Sequence, residues 1–582
     1  MNKFLITFFI IYSWAFSLDI NFSLESKYGD GSKIKKQDTD NPDTSDYNFN
    51  EILTNININF ENGIFLSTQF EYSNPPVFGE SKTGFNNFTI DYSGDNFYLK
   101  VGSLYSLYGR GLSFNMIQNQ DIDYDNSVSG TELIYHLGDN FSLMGLWGVS
   151  DFKYRNNPVD PIATLGLENS MYFLGSEYYS QRFGIIQYSV LNKQSIIDST
   201  NISLYAIRGN QIRDDLNDRI EKDGISIPAS DVLNAFDHNL IWSHYLFGFD
   251  FYVEKVWSQY NKILGNNVHG SKLYFSLYFE FLETGLTYEY KNYNQKYLIQ
   301  TISGPPTVFY ENNTSLASRN VHSVNWGDEI GHQFSLNKSI LNKLNWIFNF
   351  SYSHRHEIDG IESIKFSDIL KMDDVTATYY QSPYRQIYSE ISSYFFDDRI
   401  YYKLGINQFD EIILGSYIEN ISAFTIPVML TFSLGSGNSI TSYIETQKVE
   451  NQKFDFSTLL EYEYKKSYNN YLSTTFNYKN KFSVSAFYEF EDKEQLNIED
   501  YPEFICDDSA SLGWIWDGSE CIRLNEKDNK WIGYDFSYKI NSTSQLSFFY
   551  GSQKGGLVCA NGVCAEQPGF DDGVKITLRT IF

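Results

Sequence analysis

The chain is poor in long apolar runs. After position 17 no stretch approaches the roughly 18 residues that a membrane-spanning helix needs, so a helical membrane protein is excluded. It is also poor in positive charge, with 44 Lys and Arg against 72 Asp and Glu and a formal charge of -28. Phosphate binding needs basic stripes, so nucleic acid is excluded as a natural partner. Histidine is scarce, at eight residues. His354 and His356 sit two apart on one strand face, but no third ligand follows them there, so we read them as strand histidines with ordinary hydrogen-bond partners. Two hydrolase signatures are missing as well, the Gly-x-Ser-x-Gly elbow and the His-Glu-x-x-His metal helix. No shift of composition marks a second domain, and no repeat of fixed period is visible.

Aromatic residues are abundant, at 18% of the chain, with 46 Tyr and 47 Phe. Mean hydropathy is nevertheless slightly polar, at -0.36. Both fit strands with one face in lipid and one in a wet lumen, because Tyr and Phe serve as strand formers and as interfacial girdle residues. Segments of about ten alternating residues recur almost everywhere. In 271–281, Leu273, Phe275, Leu277, Phe279 and Phe281 alternate with Lys272, Tyr274, Ser276, Tyr278 and Glu280. The stretch 454–491 reads as consecutive hairpins, with turns expected at Tyr468-Asn469-Asn470 and at Lys479-Asn480. Glu461, Glu463, Glu489 and Glu491 fall on its polar faces; a charge facing lipid is costly, so those faces are expected to be lumenal. The count of segments predicts an all-β fold, a large transmembrane antiparallel β-barrel of about 24 to 26 strands, the even numbers that closure favours.

The two ends agree with export to an outer membrane. Residues 1–17 read as a signal peptide: Lys3 gives the positive start, 4–12 is apolar, and Ala15-Phe16-Ser17 offers small residues at the cleavage positions. An uncleaved anchor or a buried strand is the rival reading. Residues 18–582 are then expected to form one barrel domain without an N-terminal plug, because 18–27 already alternates. At the other end Val574, Ile576, Leu578 and Phe582 share one face, with Lys575, Thr577 and Arg579 on the opposite one. The terminal Phe582 resembles the signal that outer-membrane barrels present to their assembly machinery, which with outer-membrane lipid makes two expected partners.

Longer polar insertions at about 28–49, 150–170, 209–235, 292–320, 356–375 and 492–529 are expected to be extracellular or lumen-filling loops. All four cysteines come late in an exported chain. Cys559 and Cys564 flank Asn561-Gly562, a tight-turn pair that suits a disulfide-closed loop; Cys506 and Cys521 would then pair across the preceding long loop. Three pairings are open in principle, and a four-thiolate zinc site is the rival, disfavoured by its spacing.

Three stretches carry a family resemblance. Tyr108-Gly109-Arg110-Gly111-Leu112, followed by Asp121, Asp123, Asp125, Asn126 and Gly130, resembles the front motif of a large uncharacterised family of outer-membrane barrels. Pro305-Pro306-Thr307, then Arg319, His322, Val324-Asn325, Asp328-Glu329 and Gly331, resembles its central motif. The run from Gly555 to Cys564 with the terminal strand resembles its C-terminal motif. The family is a domain of unknown function, so the resemblance implies a barrel and no substrate.

From the residues themselves, Gly109 and Gly111 let backbone approach closely where a segment folds inward, and Arg110 is expected to pair with the acids of 121–125 inside the lumen. Asp121, Asp123, Asp125, Ser127 and Glu132 fall at positions 1, 3, 5, 7 and 12 of a calcium-loop template, although Asn126 stands where the template wants glycine. No other cofactor is expected. A polar turn rich in Asp and Asn is the alternative. His322 with Asp328 and Glu329 offers acid–base groups, but no nucleophile is singled out by spacing, and the chain is not expected to be an enzyme. The functional expectation is a porin-like channel or transporter for a polar solute, with an acidic and aromatic lumen. A sealed barrel that binds, assembles or assists secretion through its loops is the second reading, and a barrel-embedded hydrolase the third.

Overall fold

In the computed structural model the described residues are 18–34, 44–60, 62–77, 81–119, 124–154, 167–198, 230–263, 266–294, 304–312, 314–322, 324, 328–340, 343–356, 381–414, 418–454, 461–495, 514–516, 521–523, 530–560, 563–567 and 569–582. Twenty-four strands form one closed antiparallel barrel. The sheet numbers 26 when two short inward pieces, Gln118–Asn119 and Tyr124–Asp125, are counted with it. Closure is made by the first strand, Leu18–Ile34, which pairs with the second, Thr44–Phe60, on one side and with the last, Phe570–Ile581, on the other. The backbone of Phe582 completes the seam by exchanging hydrogen bonds with Phe22, at 2.7 and 3.2 Å. No edge strand is left in the barrel, as lipid requires.

Alternation accounts for which residues face where. Lys272 and Tyr274 are buried in the lumen as their parity predicts, and so is Glu489. Leu174, Trp147, Trp257 and Ile444 point outward and are exposed on the isolated chain. A lysine or arginine turned onto that face would cost about 2–4 kcal/mol at mid-membrane, and a glutamate less, so lipid holds the register wherever a charge sits inside. One end of the barrel has tight turns, among them Phe247-Gly248, Leu282-Glu283, Ser436-Gly437 and Lys479-Asn480, in which both central residues have positive φ. That geometry matches the twist of the flanking strands. Phe183, Phe247, Phe281 and Phe396 ring this end as exposed aromatics.

The turn expected at Tyr468-Asn469-Asn470 does not exist. These residues lie inside a single strand, Glu461–Tyr478, where Asn469 is buried and donates to Gln447 at 3.2 Å. An Asn-Asn pair reads as a turn locally, but here one of the two amides lines the lumen, where polar side chains are wanted. Strands also run further into the loops than expected, so the insertion placed at 28–49 shrinks to the residues between Ile34 and Thr44.

Candidate functional site

The lumen is crossed by two inward segments, 105–119 and 304–324. The first leaves the barrel after Leu104. Tyr108, Phe114 and Met116 pack on Leu146, Met171, Phe173, Leu191 and Ile241 of the wall. Tyr108, Phe114 and Phe173 meet ring to ring, with centroids 4.8 to 5.9 Å apart. Two glycines admit the bend: Gly109 has φ +61° and Gly111 +85°. A Cβ on Gly109 would lie 2.6 Å from the Glu254 carboxylate, and one on Gly111 would lie 2.7 Å from the Gly304 carbonyl. The bend is then tied down by the wall. The Arg110 N–H donates to Glu254 at 2.6 Å, and the buried Lys272 ammonium donates to the Leu112 carbonyl at 3.0 Å. Asn239 and Tyr252 also donate to Glu254, at 2.9 and 2.7 Å, so this buried carboxylate is well satisfied.

The second segment is gripped by charged side chains from many strands. Lys291 donates to the Thr307 carbonyl and the Tyr293 hydroxyl to that of Pro306. At the short 3-10 turn Ala317–Arg319, the Glu445 carboxylate takes the N–H groups of Leu316 and Ala317, at 2.9 and 3.0 Å. Those are the donors that a helix start leaves unpaired. Arg319 forms a two-pronged pair with Glu489, the geometry in which guanidinium and carboxylate bind best. Apolar packing joins the two segments: Val308 lies with Leu112, Val256 and Tyr274.

His322 sits at the centre of a buried charge cluster. Its Nδ1 meets Glu411 at 2.7 Å and its Nε2 meets Glu329 at 2.9 Å, while Lys291 reaches Glu329 at 2.7 Å. The Tyr384 ring stacks on the imidazole at 4.0 Å. Burial alone would push the imidazole pKa down, but the Glu329 and Glu411 carboxylates outweigh it and hold it above the ordinary value. Ser353 lies 3.0 Å from Nε2, so a hydroxyl, an imidazole and a carboxylate stand in the order of a nucleophile relay. The chemistry differs, because Nε2 also faces Glu329. An imidazolium that donates from both nitrogens has no lone pair with which to take a serine proton.

The family model that matches this chain, over residues 1–492, is described as a family of unknown function, DUF6029. The chain belongs to it. That match takes in the 108–130 and 305–331 motifs and leaves the residues after 492 outside it. Nothing among the curated proteins matches. Similar solved structures include the translocation pore of the P pilus usher PapC, at 11% identity over 97% of this chain and 99% of that one, with a TM-score of 0.39. The copper transporter OprC is similar at 7% identity over 97% and 80%, TM-score 0.40. OccK2 (OpdF) of Pseudomonas aeruginosa is similar at 9% over 68% and 93%, TM-score 0.35. Scores this low carry no argument. The outer-membrane placement of this DUF6029 protein rests on its own closed 24-strand barrel and apolar outer face.

The residues singled out in the sequence are only partly brought together. Arg319, His322 and Glu329 meet the lumen wall as described. Asp328 stands at the strand mouth and takes the N–H of His356 at 3.0 Å and its Nδ1 at 2.6 Å. The Arg110 guanidinium lies over the Tyr252 ring, 5.1 Å from its centre; Asp121 and Asp123 of its expected acidic partners lie outside the described residues. Asp125 accepts from the Tyr105 hydroxyl at 3.3 Å and the Ser127 N–H at 2.8 Å, and Glu132 accepts from Ser106 at 2.9 Å. Among the described residues no group of three metal-ligating side chains converges. Cys506 is outside the described residues; Cys521 is in a short strand opposite Trp516, and Cys559 and Cys564 are register partners in a hairpin. Sequence reasoning missed Glu254, Glu411, Glu445 and Ser353. Their one signal was a polar residue at lumenal parity, which does not say what it will hold.

Proposed function

We propose that this protein is a porin-like channel or transporter of the bacterial outer membrane, which passes a polar solute through a lumen narrowed by 105–119 and 304–324. The observation that carries the reading is the lining: the wall meets both segments with hydrogen-bonded and charged groups, among them Glu254, Lys272, Glu445 and Glu489. A barrel of this width leaves an aqueous space unless it is filled. The excess of acid over base favours cations at the mouth. Single-channel conductance of the refolded chain in a planar bilayer, with a cation/anion reversal potential, tests it. Steady cation-selective steps are expected.

A folded but silent barrel would favour the second reading, a sealed module that binds, assembles or assists secretion through its long loops. The burial of Leu112, Val308 and Leu316 supports that alternative. The doubly engaged His322 counts against a hydrolase, and no catalysis is proposed. Cleavage of 1–17 and a single barrel from 18 onward belong to the proposal, as does Phe582 as the assembly signal. Calcium at Asp121, Asp123, Asp125, Ser127 and Glu132 is tested by chelation, which is expected to loosen protease protection around 121–132; unchanged cleavage removes it. Disulfides Cys559–Cys564 and Cys506–Cys521 are proposed for the exported chain, and free thiols in the native protein would dismiss them.

A further inference from the structure

Beside the grip of Glu489 on Arg319, the lumenal wall carries a row of aromatic rings. Tyr471 stands opposite Glu489 in the register, and Phe487 lies two residues nearer the Lys479-Asn480 turn. Tyr471, Phe487 and Phe549 follow one another across the wall, with centroids 6.0 and 5.9 Å apart and successive planes inclined by 21°. Rings so nearly parallel and so far apart are strongly offset, which leaves most of each face uncovered by its neighbour. Tyr471 and Phe487 are half-buried. Gly533 lets the row close up: it stands opposite Phe487, and a Cβ there would run into both the Phe487 and the Phe549 rings.

Toward the turns the wall changes character. Thr475, Ser485, Asp535 and Phe549 stand in register across four strands, and one step nearer the turns come Asn477, Ser483, Ser537 and Ser547. Register partners share a face, so this strip of hydroxyls and amides lines the lumen beside the rings. The Thr475 and Ser485 hydroxyls meet at 2.8 Å; a hydroxyl has one proton and two lone pairs, so the pair keeps capacity for a further partner. Among the described residues no ion pair or hydrogen bond engages the half-buried Asp535 carboxylate. On the other side of Phe549 stands Lys575, its ammonium 5.5 Å from the ring centre and donating to Gln553 at 3.0 Å. The two opposite charges cancel, so this stretch is neutral in a chain of formal charge -28.

Uncovered ring faces, a strip of hydroxyls and amides, and no net charge call for a solute with a flat apolar face, a hydroxylated rim and no charge. A pyranose ring has all three, because its axial C–H bonds present one face and its hydroxyls the edge. We propose that Tyr471, Phe487 and Phe549 form a stacking platform for a saccharide passing the 304–324 segment, with the Asp535 carboxylate accepting hydrogen bonds from its hydroxyls. This rests on the channel reading and names the class of its polar solute. An organic cation would pair with Asp535, but Lys575 repels it and the hydroxyl strip offers it nothing.

The test uses the refolded full chain and two readouts, of which only one depends on conduction. Isothermal titration with maltotriose and with cellotriose measures binding in detergent, and swelling of proteoliposomes in the same sugars measures passage. At least one trisaccharide is expected to bind. Phe487→Leu keeps apolar bulk but loses the ring, and should weaken that binding about three- to tenfold, whereas Phe487→Tyr should bind like the wild type. Asp535→Asn removes charge-assisted acceptance and should weaken it about tenfold or more. Unchanged β circular dichroism confirms that each variant is folded. A folded wild type that binds neither sugar, binding indifferent to Phe487→Leu and Asp535→Asn, or binding of arginine in place of both sugars would overturn the proposal. Sugar binding that obeys the variants in a barrel that never swells would remove the channel reading and keep the platform. Conductance without sugar binding would do the reverse.

Discussion

Replacing His322 by glutamine removes a positive charge that faces two buried carboxylates. Lys291 and His322 carry two positive charges, and Glu329 and Glu411 two negative ones, all four buried. Glutamine can donate to one carboxylate but takes away the positive charge that both of them face. Breaking a buried pair by removing one partner costs about 3–5 kcal/mol. The loss falls on the seat of 304–324, because the barrel ladder does not depend on it. At about 1.4 kcal/mol per decade, even the low end raises the open population of the segment by about a hundredfold. Tryptic cleavage after Arg319 reads that population when reclosing is fast. The pH dependence sharpens the test. The folded-state pKa of His322 is raised, so its contribution is fully present below the unfolded value of about 6.5 and is lost as pH rises through the raised folded value. Wild-type cleavage should therefore be slow at pH 6 and accelerate as pH rises through the raised folded value. The variant should be fast throughout and flat across that window. A variant cleaved at the wild-type rate, or one with the same rise as pH increases, would refute the role given to the His322 charge.

Three further outcomes are expected. Glu445→Gln weakens two charge-assisted acceptances at the 3-10 turn and should cost about 1–3 kcal/mol of segment stability, seen as faster cleavage after Arg319 without loss of the barrel's β circular dichroism. Gly111→Ala places a Cβ 2.7 Å from the Gly304 carbonyl at a φ of +85°; the strain, about 1–3 kcal/mol, should loosen the contact between the two segments and raise protease access near residue 110. Deleting Phe582 removes the residue that closes the seam with Phe22, and the protein should accumulate unassembled in the periplasm; normal membrane levels would count against its role as the signal.

Much of the architecture was legible because strand parity is local. A period of two is visible in eleven residues, and lipid on one side with water on the other enforces it. Lys272 and Glu489 could thus be assigned to the lumenal side without knowledge of their neighbours. Gly109 and Gly111 were legible for a similar reason, since positive φ and close backbone approach leave glycine as the residue that fits. The Asn469-Asn470 turn failed because a turn pair and a lumen-lining pair have the same composition. Only lumenal pairing with Gln447, on the neighbouring strand, tells them apart.

The sequence by itself thus determined a barrel, its faces and its approximate strand number, all set by local alternation and membrane thickness. The tertiary structure decided what fills it. Arg319 and Glu489 are separated by 170 residues, Lys272 and Leu112 by 160, and Leu316 and Glu445 by 129. Such pairings depend on the register around the whole ring and on where two segments leave the wall. Parity places a charge inside the lumen, but barrel closure selects its partner.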